Sequence, residues 1–326
     1  MSPNVVSPAA SPVYASPTDM ATYGAYTPGA TAGPGSANSE SASSATCRTG
    51  GDTNDVVAGV GILQTVGTGT AQSNLHVKGI VPFDGTAEYV SANGYSAGVV
   101  DTDTTQARAI GGTGGSGGGL DAAFGSTPYA MCLDPGDTIT GTQVVMNSVA
   151  GPSSSGGTAL AVATCPADTR LLGGGARTTP GTAGSLKPVV SYPTFLDGTG
   201  TGTHDNGAIA AADGATNPDS WAAGGLNRGN TGSGYTTYAY AICSGDDINV
   251  SGVTVTVHYN ETTGPTSVAA PQKTTTGCGE GDGTLISGGS PLTTSPAHWT
   301  STTHTSGMGS TSATRSHVWA LCLAGN

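Results

Sequence analysis

Charged side chains are scarce in this sequence of 326 residues. Asp, Glu, Lys and Arg together make up 9% of it, against roughly 25% in ordinary globular proteins. The nine basic residues are scattered singly, and the formal net charge is −12. Because nucleic-acid binding needs clustered Lys and Arg to neutralise phosphates, this pattern excludes nucleic acid as a partner. It also argues against binding to anionic membrane surfaces.

Long apolar runs and helical periodicity are missing as well. No run approaches the ~20 residues of a transmembrane helix, so membrane insertion is not expected. No stretch repeats apolar residues at helical spacing over three turns. The apolar residues instead alternate with polar ones in short runs, such as residues 236–243 and 252–259, which is typical of strands. Together with 54 glycines, this predicts an all-β protein with long Gly/Ser/Thr loops.

The cysteines lie in a pattern that occurs three times. One predicted strand is written PYAMC, YAYAIC and HVWALC, and it ends at Cys132, Cys243 and Cys322. The other cysteines each follow a Gly-Pro pair at the same separation and precede an aliphatic pair with glycines; they are Cys47, Cys165 and Cys278. The sequence therefore predicts three tandem β-sandwich-like repeats at 33–150, 151–263 and 264–326, after an extended Ser/Pro arm at 1–32.

Each predicted repeat contains one opening and one closing cysteine. The most economical pairing is Cys47–Cys132, Cys165–Cys243 and Cys278–Cys322, although six cysteines allow 15 connectivities. Such disulfides favour an extracellular, cell-surface or virion-surface location. The first residues, MSPNVVSPAASPVYASP, lack the character of a signal peptide, which favours a virion component. No metal site or cofactor is predicted, because there is no CxxC pair and no His at ligand spacing from a cysteine.

The second predicted repeat carries a recognisable series of motifs. They are CPADTRLLGGGA at 165–176, SYP at 191–193, Trp221, and YAYAIC at 238–243. The series resembles a repeat module of secreted, often actinobacterial, proteins with the pattern Cys-Pro-Ala-x-Thr, Gly-Gly-Gly, Ser-Tyr-Pro, Trp, Tyr-Ala-x-Cys. The resemblance implies export and a β module, and no particular activity. The third repeat lacks the Cys-Pro and Ser-Tyr-Pro elements, and the first also lacks the tryptophan.

Two glycine motifs raise the question of chemistry. The triplet at 173–175 has neither the following helix nor the Lys of a phosphate-binding loop, so we interpret it as a place of close backbone approach beneath an aromatic such as Trp221 or Tyr240. GYSAG at 94–98 matches a nucleophile elbow around Ser96, but no helical pattern follows it. A secreted serine hydrolase is therefore the weakest of the functions considered.

Aromatic residues make up 5% of the sequence, and several fall in the repeated strands. Aromatic faces stack on sugars, so surface glycans are one class of partner. The candidate glycan-facing residues are Trp221, Tyr235, Tyr238 and Trp299. A soluble secreted carbohydrate- or receptor-binding protein is accordingly the alternative function.

The two ends of the chain suggest self-association. A strand follows Cys132 and Cys243, but the chain stops four residues after Cys322. The arm at 1–32 is followed by a Gly-Pro pair, as each of those strands is. We expect the arm, around residues 13–32, to complete the third repeat of another subunit by strand addition. The predicted function is a non-enzymatic structural or adhesive component of an extracellular or virion-surface assembly, such as a filament, fibre, tail or capsid decoration.

Overall fold

The structure is a computed structural model. It describes residues 22–26, 31–47, 54–65, 75–114, 125–134, 139–196, 202–203, 209–229, 232–245, 252–263, 274–279, 281–289, 292–293 and 315–325. This described part is all-β, as predicted from the sequence: it has twenty strands, one short 3₁₀ helix at Ser91–Asn93 and no α-helix.

The strands are numbered in chain order. They are β1 (Thr22–Tyr26), β2 (Thr31–Ala32), β3 (Glu40–Thr46), β4 (Val56–Thr65), β5 (Leu75–Phe83), β6 (Gly98–Thr102), β7 (Gln106–Thr113), β8 (Gly125–Leu133), β9 (Thr142–Ala150), β10 (Thr158–Thr164), β11 (Leu171–Thr179), β12 (Leu186–Thr194), β13 (Gly202–Thr203), β14 (Ile209–Ala210), β15 (Ser220–Asn227), β16 (Thr236–Ser244), β17 (Val253–Thr263), β18 (Thr284–Gly289), β19 (Leu292–Thr293) and β20 (Arg315–Gly325). The alternation seen in the sequence is the alternation of burial: in β17, Val253, Val255 and Val257 are buried, and the threonines between them are half-buried.

These strands form four antiparallel sheets. In sheet A, β8 has β4 on one side and β1 and β2 on the other. Sheet B has the order β3-β7-β5-β11-β16-β9-β6, and sheet C the order β10-β15-β12-β14-β13. In sheet D, β20 has β17 on one side and β18 and β19 on the other. Strands of sheet A pack on β3 and β7 of sheet B, and strands of sheet C pack on β11 and β16.

One three-strand arrangement occurs three times in this topology. Its central strand is β8, β16 or β20, and the neighbour on one side is β4, β11 or β18. Each of those neighbours has a register shift at the corresponding place, just before Gly59, Gly173 or Ser287. The neighbour on the other side is β1, β9 or β17. In each case this third strand belongs to the part of the same chain that precedes the other two strands.

The expectation that the third repeat lacks a strand is therefore wrong. β17 pairs with β20 along eleven residues, from Val253 opposite Gly325 to Thr263 opposite Arg315. The strand after each unit completes the next unit, so β20 has a partner strand on both sides. β1, within the arm, occupies the corresponding place in sheet A of its own chain; residues 1–21 and 27–30 lie outside the described residues.

The strands of the predicted repeats are not kept apart in separate sheets. Sheet B joins strands from both 33–150 and 151–263, through the pairing of Ile80 in β5 with Ala176 in β11. The boundaries at 33, 151 and 264 stay predictions. What recurs is the three-strand pairing itself.

The three disulfides are those predicted from the sequence: Cys47–Cys132, Cys165–Cys243 and Cys278–Cys322. Cys47 follows β3 in sheet B and Cys132 lies in β8 of sheet A, so the first bond joins two sheets. Cys165 follows β10 in sheet C and Cys243 lies in β16 of sheet B, so the second does the same. Each of these two bonds holds a central strand to the sheet that packs against it, and the third joins Cys278, which lies in no strand, to Cys322 in β20.

Candidate functional site

The glycine triplet lies where three strands meet. A Cβ atom at Gly173 would touch the carbonyl oxygen of Ala58 in β4 and lie 2.5 Å from Ser287 Oγ in β18. A Cβ atom at Gly59 would lie 2.8 Å from Ser287 Cβ. The three register shifts thus bring β4, β11 and β18 together at a single point. The triplet serves backbone packing, as the sequence predicts.

The aromatic predicted to lie over the triplet is Trp221. A Cβ atom at Gly174 would overlap its indole ring, and Trp221 Nε1 donates a 2.9 Å hydrogen bond to Ser191 Oγ. Trp221 is 0% exposed. Its assignment as a glycan-facing residue is therefore wrong, because the buried ring packs on the glycines of β11.

The other candidate glycan-facing residues fare differently. Tyr238 is also buried, with its hydroxyl 2.7 Å from Ser91 Oγ, so its assignment as glycan-facing is wrong for the same physical reason. Tyr235 is half-buried, beside Gly232. Trp299 lies outside the described residues. The four aromatics are therefore not brought together on one surface by the described chain.

Ser96 is exposed and precedes a strand. It lies between the 3₁₀ helix and β6, which begins at Gly98. A nucleophile elbow holds its serine on a turn from a strand into a helix, and the described chain around Ser96 does not have this geometry.

The nearby carboxylates accept hydrogen bonds from the protein itself. Asp101 Oδ2 accepts from the hydroxyls of Tyr89 and Thr104, and Asp103 Oδ1 accepts from the backbone N–H of Thr142 at 2.9 Å. Burial and the Asp101 carboxylate raise the pKa of Tyr89 above its usual range. Within the described residues there is no group of three or more His, Cys, Asp or Glu able to hold a metal ion.

A buried ionic network joins β11 to β3 and to the segment before the 3₁₀ helix, which lie far apart in the sequence. Arg177 in β11 forms a fork to both oxygens of Glu40, at 2.9 Å each, and donates from Nε to Glu88 at 2.9 Å. Burial opposes its charge, but the Glu88 and Glu40 carboxylates raise the pKa of Arg177 above its usual range. These partners lie 89 and 137 residues away in the chain, and no motif marks the network.

Lys78 makes a second buried polar contact between strands. Its Nζ donates to the carbonyl oxygens of Ala183, Gly184 and Leu186 at 2.5–3.1 Å. Burial, with the positive charge of Arg177 nearby, lowers the pKa of Lys78 to about 7. This contact holds β5 to the turn before β12 and to the first residue of β12.

The three corresponding sheet faces differ in how they are covered. In sheet B, residues 84–102 lie over β16 and β9: Tyr240 OH donates 2.8 Å to the Tyr89 carbonyl, and β6 pairs with β9. In sheet D, residues 209–217 play this part: Trp319 Nε1 donates 2.9 Å to the Ala211 carbonyl, and Gly214 and Asn217 bond to β17.

The corresponding aromatic residue of sheet A is partly exposed. Tyr129 of β8 occupies the position of Tyr240 and Trp319, three residues before the disulfide cysteine, and is 37% exposed, against 0% and 1% for those two. Met131, on the same face, is half-buried. Sequence reasoning missed this difference in exposure, because the three aromatics look alike in sequence.

Comparisons add no relative to this description: no protein-family model matches the chain, and no curated protein matches it. Among the described residues, no helix is long and apolar enough to cross a membrane.

Proposed function

We propose that this protein is a non-enzymatic structural or adhesive component of an extracellular or virion-surface assembly. The observation that supports this most is the way in which disulfides and strand pairing hold the central strands in place. Disulfides bind two of the central strands, β8 and β16, to the sheets that pack against them. Each central strand also pairs with a strand from an earlier part of the same chain. This construction gives a body that resists opening outside the cell, since disulfides persist there.

The polar groups that could do chemistry are engaged in the same task. Arg177 and Lys78 connect strands, Asp101 and Asp103 fix turns, and Trp221 packs on the glycine strand. Side chains used in this way position the backbone and do not converge on a substrate. This use of the polar groups supports a structural role over a catalytic one.

Assembly is tested by the size of the oxidised protein. Mass photometry and negative-stain microscopy of the full chain should show oligomers or filaments. Full-length protein that stays monomeric at micromolar concentration would contradict the proposal.

The hydrolase alternative has its own test. A fluorophosphonate probe should leave the protein unlabelled, because Ser96 lies in the segment just before β6 and not on a turn from a strand into a helix. Labelling that disappears in Ser96→Ala would establish an active serine and replace the structural proposal.

A further inference from the structure

We propose that the Cys278–Cys322 disulfide is a modification site, at which an external thiol attacks Cys278 and forms a mixed disulfide with it. The reactant is a thiol by chemical class, carried by a small molecule or by a macromolecule. The inference goes beyond the proposed structural role and does not depend on it. Three observations carry it: the burial of the six cysteines, the way in which their backbone is held, and the charge near Cys278.

Burial separates this disulfide from the other two. The other two bonds are formed by four buried cysteines, and Cys322 is 0% exposed as well. Cys278 alone is half-buried among the six cysteines, all of which lie in the described part of the chain. Thiol–disulfide exchange requires a thiolate to reach one sulfur of the bond, so its rate depends on access to that sulfur. Cys278 is therefore the cysteine at which we expect a thiol to attack first.

The backbone at Cys278 also differs from that at the two corresponding cysteines. Cys47 and Cys165 each follow a strand directly, and the backbone N–H of each donates a 2.8 Å hydrogen bond to a carbonyl oxygen outside that strand. Cys278 lies in residues 274–279, which contain no strand. Irregular segments open at a lower free energy than strands paired in a sheet. The two sulfurs can therefore move apart more easily at this bond than at the other two.

The exchange step balances without any oxidant or reductant other than the thiol. The incoming thiolate forms a bond to Cys278 Sγ, the Cys278–Cys322 bond breaks, and its electron pair leaves with Cys322 Sγ, which takes up a proton from water. Cys322 stays held in sheet D, because β20 pairs at this residue with Thr256 in β17 and with Leu285 in β18. Its thiol can attack the mixed disulfide in turn and expel the external thiol. The modification is therefore reversible.

A carboxylate close to Cys278 selects among thiols by charge. Asp282 Oδ2 accepts a 3.0 Å hydrogen bond from the backbone N–H of Gly279, the residue that follows Cys278. The Asp282 side chain is 33% exposed, and the formal net charge of the whole chain is −12. Both charges repel an anionic reactant and attract a cationic one. We therefore expect cationic thiols to react faster than anionic ones.

The first experiment locates the attack in the oxidised wild-type chain. The protein is treated with 2-mercaptoethanol at pH 8, free thiols are trapped with iodoacetamide, and the adducts are located by peptide mass mapping. The first adduct should lie on Cys278, with Cys322 alkylated, and form at least tenfold faster than any adduct at the Cys165–Cys243 bond. Equal rates at the two bonds, or a first adduct on Cys322, would overturn the proposal. So would a rate that does not rise with thiol concentration, since global unfolding would then limit the reaction.

The second experiment tests selection by charge. At equal thiolate concentration and low ionic strength, cysteamine should react at Cys278 at least threefold faster than 2-mercaptoethanesulfonate. Asp282→Asn should bring this ratio closer to one. Asp168→Asn is the matched control, because Asp168 is exposed and lies three residues after Cys165, and it should leave the ratio unchanged. A wild-type ratio of one, or the same ratio in Asp282→Asn, would overturn the selection by charge.

The third experiment separates small thiols from macromolecular ones. Agarose beads that carry thiols should retain the wild-type chain and release it with dithiothreitol, whereas the double variant Cys278→Ser with Cys322→Ser should pass through. Retention of the double variant would contradict attachment at this bond. A wild type that reacts with 2-mercaptoethanol but passes the beads would restrict the reactant to small thiols. The first experiment needs no variant, and the oligomer size of the oxidised protein tests the proposed function separately, so each can fail without the other.

Discussion

At the scale of single residues, corresponding positions in β11 and β4 are packed with side chains of different sizes. By register, Gly174 in β11 corresponds to Val60 in β4, because they lie opposite Ala241 and Ala130 in the central strands. Trp221 lies over Gly174. Sheet B contributes Ala107 at the position of that tryptophan, buried in the same cluster as Val60. A large residue over a small one in one place is replaced by a small one beside a larger one in the other, so the side chains interlock in both places.

This complementarity predicts a coupled pair. Gly174→Ala should lower the free energy of unfolding by ~1–3 kcal/mol, because its Cβ enters the Trp221 ring, and Trp221→Ala should lower it by ~3–5 kcal/mol. The double variant should cost up to ~1 kcal/mol less than the sum, since the overlap with the ring is gone while the overlap with the Tyr240 carbonyl oxygen stays. Guanidinium unfolding gives all three values. Gly35→Ala, whose Cβ would meet nothing within 4 Å, is the neutral control; strict additivity of the pair would contradict the predicted overlap.

At the scale of strands, the sequence predicts what lies close along the chain and misses what distant segments bring together. The alternation of apolar and polar residues predicts β17 correctly, because the burial of one face depends only on spacing within a single strand. The assignment of Tyr238 to the surface failed, because the residue that covers it, Ser91, lies 147 positions earlier. The missing-strand hypothesis failed for a related reason: spacing shows that a strand follows Cys243, and not which central strand it joins.

The Arg177 network is the clearest case of stability that the sequence does not announce, and it yields a test. Arg177→Met should lower the free energy of unfolding by about 3 kcal/mol, since it leaves the Glu40 carboxylate without its fork and leaves Glu88 with Arg108 alone, at 3.6 Å. We expect the low end of the usual range because the Glu40 side chain keeps 32% exposure. Adding Glu40→Gln and Glu88→Gln should recover part of the loss by removing the carboxylate charges that Arg177 no longer balances.

Denaturant unfolding of these variants is compared with Arg228→Met, a change at an exposed arginine, which should cost less than ~0.5 kcal/mol. A loss at Arg177 no larger than that at Arg228 would mean that the network contributes nothing to folding. No recovery on neutralising both glutamates would mean that the loss arises from the missing arginine packing instead.

At the scale of the whole molecule, buried ionisable groups shape how stability depends on pH. Burial, with the charge of Arg228 nearby, lowers the pKa of Lys187 to about 7, and burial likewise lowers that of Lys78 to about 7. Their ordinary value, expected in the unfolded chain, is 10.5. Burial raises the pKa of Tyr192 and Tyr240 above their ordinary value of 10.0. The two groups of residues therefore act in opposite directions and in different pH windows.

Between pH 7 and 10.5 the unfolded chain binds more protons at both lysines than the folded one, so the free energy of unfolding should rise with pH, by up to about 1.4 kcal/mol per unit for each lysine. Above about pH 10 the unfolded tyrosines lose protons that the folded ones keep, so stability should fall again. The expected curve has its maximum near pH 10, measured by guanidinium unfolding at constant ionic strength. Lys78→Met with Lys187→Met should flatten the rise, whatever its effect on absolute stability. A rise that survives in this double variant would assign it to other groups, and wild-type stability that falls between pH 7 and 9 would contradict burial of the two lysines.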